Sequence, residues 1–155
     1  MVPTCIQVSY WLWCTCYTFS PFQFIPSFRS KYLAWHTRMG YVYILSCIIS
    51  GLSALLIAQF AMGGIWASIG FTIMALLWLG STISATKAVL NGRIRDHEHY
   101  MIYSYAMTFV AIPQRLMLLI PLLFGVPFLG VYILSAWLPW ILNLWLAYMI
   151  IRKSM

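Results

Sequence analysis

Acidic residues are scarce in this sequence: its 155 residues include only two, Asp96 and Glu98, against nine lysines and arginines. Charged residues make up only 7% of the chain, whereas hydrophobic residues make up 63% and the mean hydropathy is +0.88. This composition excludes a soluble globular protein and predicts an integral membrane protein. Proton and ion relays need acidic groups at membrane depth, so the scarcity of acids also argues against a transporter.

Catalytic and metal-binding motifs are missing as well. The chain has no glycine-rich phosphate loop, no serine nucleophile elbow and no pair of carboxylates at membrane depth. Its four cysteines lack the paired spacing of metal sites and redox motifs, and each lies within an apolar run: Cys5, Cys14, Cys16 and Cys47. Water-soluble substrates would have nothing to bind, so the sequence predicts neither an enzyme nor a metal site.

Long apolar runs dominate what is present. They occupy residues 5–24, 39–60, 65–90, 99–124 and 131–150, and a run of about 20 residues crosses the hydrocarbon core of a bilayer. The sequence therefore predicts one all-α domain, residues 1–155, built as a bundle of about five transmembrane helices. The first run contains Gln7 and Ser9 and has no signal-peptide cleavage site, so it should either cross the membrane or lie tilted in the interface.

The basic residues fall in every second connection between these runs, and by the positive-inside rule this pattern places the N-terminus outside and the C-terminus inside. The membrane would be the cytoplasmic membrane of a bacterium or the inner membrane of a mitochondrion. Because these residues form no stripe or patch, the net charge of +7 indicates contact with anionic phospholipids and not with nucleic acid. Eight of the nine basic residues follow the pattern: Arg29, Lys31, Arg38, Lys87, Arg93, Arg95, Arg152 and Lys153.

Four polar residues are consecutive, in the sequence "DHEH" of residues 96–99. Asp96 fits the N-cap of the fourth predicted span, with Glu98 in the first turn, where acidic groups interact favourably with the helix dipole. On a helix, His97 and His99 would point about 160–200° apart, so only one of them can face the interior. We expect His99 to lie at the membrane interface.

The third histidine, His36, has a position similar to that of His97. The segments "HTRMGYVY" and "HEHYMIYSY" each place a histidine at the inner end of a span, so the two imidazoles could lie near one another at one membrane face. Two imidazoles from two helices are a haem b ligand set, with Arg38 or Arg93 beside the propionates. Alternatively, both histidines are structural groups of the interface and the two arginines contact lipid headgroups.

Arg115 lies well inside the fourth predicted span, about 14 Å from the outer end of that helix. An arginine at membrane depth is a candidate functional site. Pro113 frees a backbone carbonyl nearby, and Gln114 and Asn143 lie at similar depth, so an internal hydrogen-bonded site is feasible. The other possible partners of Arg115 are an acidic residue of another subunit, a lipid phosphate, and an anionic or quinone-like ligand.

Small residues recur at a spacing of four in two of the spans. Such stripes allow helices to approach closely, within one chain or between subunits. The second span has Ser46, Ser50, Ala54 and Ala58, and the third has Gly80, Ser84 and Ala88.

Five segments of the chain carry a family resemblance: "SPFQFIPSFR", "HTRMGYVY", "ALLWLGSTISATKA", "HEHYMIYSYAMTFVAIPQRLMLLIP" and "LSAWLPWILNLWLAYMIIRK". They resemble a family of small, multi-helix, mostly bacterial integral membrane proteins that is catalogued as a predicted-membrane-protein domain of unknown function. The resemblance runs from about residue 20 to residue 153. It implies an all-helical membrane fold and brings no established activity with it.

By position, the recurrent residues of that family fall on His36, His97, Arg115 and Asn143. Members often also have a histidine in the first span and an acid in the last span. Here the first span has no histidine, and Tyr148 stands at the place of the acid. The resemblance thus implies an ancestral site at the two histidines, of which this chain has lost part if those groups complete it.

These features favour a non-catalytic accessory subunit of a larger membrane complex, of the respiratory or photosynthetic type. Its expected partners are other integral membrane subunits and phospholipids, with no cofactor. The alternative is a small membrane redox protein that binds haem b or a quinone through His36 and His97.

Overall fold

The computed structural model describes residues 32–154, a part of the chain that contains helices and turns but no strand. The predicted all-α class is therefore confirmed for this part. The predicted first span, residues 5–24, and three of the four cysteines lie outside the described residues. The helices of the described part are α1 Leu33–Ala58, α2 Gly64–Leu90, α3 Ile94–Phe109, α4 Ala111–Met117, α5 Ile120–Phe124, α6 Phe128–Ser135 and α7 Leu138–Ser154.

Four segments of the described chain are long and apolar enough to cross a membrane, and they correspond to the second to fifth predicted spans. The second and fourth predicted spans begin several residues earlier than predicted, because the polar residues at their inner ends, His36 and His97 among them, are already helical. The total of five spans is not confirmed, and the orientation of the termini stays a prediction. The four segments are Leu33–Ala58, Gly64–Leu90, Ile94–Phe124 and Phe128–Lys153.

A tight turn joins α2 to α3. Gly92 has a φ of 72°, in the left-handed region that glycine adopts without strain. The backbone N–H of Arg93 donates to the carbonyl of Ala88 at 2.9 Å, so the next helix starts at once, at Ile94. The prediction that Asp96 is the N-cap is therefore wrong: Arg93 holds that position, and Asp96 lies in the first turn.

Prolines interrupt the last two spans. Proline has no backbone N–H and cannot donate to the carbonyl four residues before it, so the helical hydrogen-bond pattern is broken there. The breaks between α3 and α4, between α4 and α5, and between α6 and α7 each lie within three residues of a following proline: Pro113, Pro121 and Pro139. The third described span thus consists of three helices and the fourth of two.

The helices pack in the order in which the chain forms them. α1 packs against α2, α2 against α3, and α3 against α7. Gly51 allows close contact between α1 and α2, because a Cβ at this position would lie 2.6 Å from the side chain of Leu79. The buried core cluster is Tyr43, Cys47, Trp78, Ala85, Met101, Met107, Val110 and Trp140.

The two predicted small-residue stripes differ in the structure. In α1, Ser46, Ser50 and Ala58 are buried, which confirms that this stripe is a packing face. In α2, Ala88 is buried, but Gly80 is exposed and a Cβ there would meet nothing within 4 Å. The second stripe is therefore not a packing face along its whole length within the described chain.

The four spans alternate in direction, so their charged residues collect at one end. The start of α1, the turn between α2 and α3, and the end of α7 form this basic end. Among residues 32–154 it contains every lysine and arginine except Arg115. The opposite, uncharged end is formed by residues 59–63 and 125–127, which contain no charged residue.

Candidate functional site

The two histidines that the sequence singles out both lie at the basic end. His36 is in the first turns of α1 and His97 in the first turn of α3, and both side chains are half-buried. Nδ1 of His97 lies 2.8 Å from the backbone carbonyl oxygen of Ala85 in α2. A carbonyl only accepts hydrogen bonds, so Nδ1 carries a proton, and the tautomer compatible with this bond has its lone pair on Nε2. This tautomer leaves Nε2 as the nitrogen that could bind a metal, with Nδ1 held by a backbone carbonyl.

A side-chain contact fixes the relative heights of α1 and α3. The hydroxyl oxygens of Tyr43 and Ser104 lie 3.0 Å apart, and the two helices run parallel because α2 returns the chain between them. His36 precedes Tyr43 by seven residues. His97 likewise precedes Ser104 by seven. Seven residues are about two turns, or about 10 Å, so we expect the two histidines to lie near one level, each on the helix face of its hydroxyl residue.

Two exposed arginines lie near the histidines, and of these only Arg93 forms an ion pair with an acid of the described chain. Arg93 and Asp96 form an ion pair of 3.4 Å in which both side chains are largely exposed. Arg38 follows His36 by two positions, which on a helix places the two side chains on nearly opposite faces. Arg38 is exposed, and its two predicted contacts, a lipid headgroup and a propionate, stay predictions.

A buried cluster of polar side chains lies one level deeper, and the sequence analysis missed it. It joins α1, α2 and α3, and we call it the hydroxyl cluster. Every member is at most 7% exposed. The members are Tyr43, Thr82, Ser104, Thr108 and the indole of Trp78.

Hydrogen bonds satisfy this cluster from within. The Tyr43 hydroxyl lies 3.0 Å from Ser104 Oγ and 3.1 Å from Thr108 Oγ1. The indole N–H of Trp78 donates to Thr108 Oγ1 at 3.1 Å, and Thr82 Oγ1 lies 2.7 Å from Ser104 Oγ. Buried polar groups are costly unless they are paired, so this arrangement fixes the packing of three spans. The spacing of Ser104 and Thr108, four residues apart on one face of α3, is the sequence signal that could have revealed it.

The predicted polar site around Arg115 is spread out in the structure. The side-chain amide of Asn143 donates to the carbonyl of Ala106 at 3.0 Å, which joins α7 to α3. Ala106 precedes Arg115 by nine residues, more than 10 Å along a helix. Arg115 itself is exposed on α4, and Gln114 is half-buried. The structure thus assigns Asn143 to helix packing and places Arg115 on the surface of the third described span.

The donor set at the basic end limits which cofactor it fits. Within residues 32–154, the side chains of His, Cys, Asp and Glu form no group of three or more that could hold a metal ion. A bare ion needs more protein ligands than two imidazoles supply, whereas a haem b needs two axial ligands. The histidine pair therefore fits a haem better than a bare metal ion.

The comparisons with known proteins agree with the membrane fold. Residues 12–151 match the family described as "Predicted membrane protein (DUF2306)". No curated protein and no solved structure matches the chain. The match covers nearly the whole chain and includes all four described spans, so the chain belongs to the DUF2306 family of predicted membrane proteins, a family of unknown function.

Proposed function

We propose that the protein is a small membrane redox protein that holds a haem b at its basic end, with His36 and His97 as axial ligands. The observation that carries the proposal is the 2.8 Å contact between Nδ1 of His97 and the carbonyl of Ala85. It supports the tautomer that presents Nε2 to a ligand. The expected common level of the two histidines supports it further, since both imidazoles belong to parallel helices that pack on α2.

The chain's own residues have defined roles in this proposal. His36 and His97 would hold the haem, which when bound would supply one-electron transfer. Arg93 lies one turn outward from His97, at the level where propionates would meet the headgroup layer. We place the basic end in the cytoplasm or the mitochondrial matrix, because basic residues are enriched on that side of membranes.

The first test is a reduced-minus-oxidised absorption spectrum of the purified protein in mild detergent. We expect the α band of a haem b in the parent protein, its loss in His36→Ala and His97→Asn, and its retention in His99→Ala. Asparagine can place an amide N–H where Nδ1 was and so keep the bond to Ala85, but it offers no ligand in place of Nε2. Loss of the band in His97→Asn with an unchanged elution volume therefore reports a lost ligand and not a lost fold.

Two results would contradict the haem proposal. One is a flat spectrum of the parent protein after expression with haem supplied. The other is a band that survives in both His36→Ala and His97→Asn. In either case the two histidines are structural groups of the interface.

A second function, supported by a different observation, is that of a non-catalytic accessory subunit in a larger membrane complex of the respiratory or photosynthetic type. Gly80 lies near the middle of α2 on its exposed face, with Leu76, Leu77 and Ile83 exposed around it. A glycine on an exposed face at membrane depth lets a helix of another subunit approach closely. The mostly apolar exterior of the four spans is compatible with such neighbours.

We expect Gly80→Leu to release the protein from its complex, because the new side chain would separate the two helices. The measurement is migration on a native gel after mild detergent extraction. Gly130→Leu is the matched control, because it adds the same side chain to another exposed glycine, in α6. Unchanged migration of Gly80→Leu, or equal release by both variants, would count against a partner helix at this face.

A further inference from the structure

The outer face of α1 has a shallow groove of about 170 Å³ near the basic end. We call it the Arg38 groove. It is lined by Trp35, Arg38, Met39 and Val42, which recur at helical spacing on one side of α1. Trp35 is nearest the membrane surface, Arg38 lies about one turn deeper, and Val42 about one turn deeper again. The groove therefore has an aromatic ring at its entrance, a positive charge below it and an apolar floor.

The charge of Arg38 is not neutralised within the described chain. The guanidinium is exposed, and no carboxylate of residues 32–154 pairs with it, whereas Arg93 is paired with Asp96. Arg38 also lies about two residues deeper than the histidine level, while Arg93 lies outward of it. Within residues 32–154, Arg38 thus has no carboxylate partner, and it lies within reach of the upper acyl chains.

An exposed apolar stripe continues from the groove along α1. Each residue follows the previous one by three or four positions, so the stripe lies on one helix face. It extends about 20 Å from Val42, which exceeds the roughly 15 Å of hydrocarbon in one leaflet. Its members are Val42, Leu45, Ile49, Leu52 and Leu56, and all are at least 39% exposed.

We propose that the Arg38 groove binds one anionic phospholipid of the leaflet at the basic end. The phosphate accepts hydrogen bonds from the Arg38 guanidinium, whose planar fork matches phosphate oxygens. Trp35 lies at the boundary between headgroup and chains, where tryptophan is enriched. One acyl chain lies against Met39 and Val42 and follows the apolar stripe.

The preference for an anionic lipid over a zwitterionic one follows from charge. A zwitterionic headgroup places its own cation near the phosphate and offsets the attraction of Arg38. The net charge of +7 and the concentration of cations at the basic end also favour an anionic lipid in this leaflet. The site does not depend on the haem proposal, because Arg38 and His36 lie on opposite faces of α1.

The test is native mass spectrometry of the protein released from nanodiscs made of phosphatidylcholine and phosphatidylglycerol at 4:1. We expect the parent protein to retain one phosphatidylglycerol, and Arg38→Ala to lower the retained fraction about fivefold. Arg38→Lys should keep part of the binding, because it keeps the charge but not the planar fork. Val42→Trp should lower it by filling the groove while the charge is unchanged.

Arg152→Ala is the matched control, since it removes an arginine from the same end of the bundle, on α7. We expect it to leave the retained phosphatidylglycerol within twofold of the parent. Equal losses in Arg38→Ala and Arg152→Ala would overturn the proposal in favour of general charge attraction. Equal retention of both lipids, or a dimer of the chain without lipid, would overturn it as well. The lipid result stands whether or not the parent protein binds haem, because Arg38 and His36 lie on opposite faces of α1.

Discussion

Gly70→Ala is expected to lower the free energy of unfolding by about 1–3 kcal/mol, although it adds a single methyl group. A Cβ on Gly70 would lie 2.8 Å from the carbonyl oxygen of Ala136 and 3.0 Å from Nε1 of Trp137. Both neighbours are held in place, because the Ala136 carbonyl accepts from the indole of Trp140 and Trp137 donates to the carbonyl of Trp66. The backbone of the break between α6 and α7 would have to move away from α2.

The measurement for Gly70→Ala is unfolding of the purified protein in mixed micelles of a mild detergent and dodecyl sulfate. Gly80→Ala is the control, because it makes the same change on the same helix where the new Cβ meets nothing within 4 Å. We expect Gly80→Ala to be as stable as the parent or up to about 1 kcal/mol more stable, since alanine favours a helix over glycine. Equal stability of the two variants would show that α2 and the α6–α7 break are not in close contact.

Tyr43→Ala is expected to have the largest effect on stability, a loss of about 3–5 kcal/mol. Among residues 32–154, Tyr43 is the largest of the fully buried side chains, at 1% exposure, and it is the part of the hydroxyl cluster that reaches from α1 to α3. Its removal leaves a cavity and takes one hydrogen-bond partner from Ser104 and one from Thr108. The variant therefore loses both packing contacts and hydrogen bonds between the three spans.

Tyr43→Phe separates these two contributions. It keeps the ring and removes only the hydroxyl, and hydrogen bonds between membrane helices contribute about 1 kcal/mol or less on average. We therefore expect Tyr43→Phe to lose about 1 kcal/mol. Tyr41→Ala, at a tyrosine that is 64% exposed, should change the stability by less than about 0.5 kcal/mol. A loss in Tyr41→Ala equal to that in Tyr43→Ala would mean that Tyr43 is not a core residue.

The parts of this fold that could be predicted are those that depend on where apolar residues lie along the sequence. Apolar runs of more than 20 residues located four described spans, because a helix must satisfy its own backbone groups in lipid. The helix starts were placed too late, since His36 and His97 are polar but already helical. The helix breaks could have been predicted, because each is caused by a proline. A mean hydropathy taken over a long window does not register a single proline.

The candidate site was only partly accessible from the sequence. The equivalence of His36 and His97 came from the superposed segments and stays a prediction. The bond from His97 to Ala85 could not be foreseen, because it depends on how α3 packs against α2. The bond from Asn143 could not be foreseen either. Its acceptor is the backbone carbonyl of Ala106, and the apolar side chain of that residue gives no sign of it.

The hydroxyl cluster escaped prediction for a related reason. Tyrosine, serine and threonine are common in apolar runs, and a serine or threonine in a helix can bond the carbonyl four residues earlier. Thr108 does so with Ser104, and Thr82 with Trp78. Only the assembled helices show that these hydroxyls also bond to one another.

The positions of the three proline breaks give the molecule two unequal halves. Toward the basic end, α3 and α7 are continuous helices joined by the bond from Asn143 to Ala106. The hydroxyl cluster and the bond from His97 hold α3 against α1 and α2. Toward the uncharged end, the same two spans consist of short helices with carbonyls that no longer have a helical donor. We therefore expect stiffness to decrease along the membrane normal, so that lateral pressure from the bilayer deforms the uncharged half more readily than the basic half.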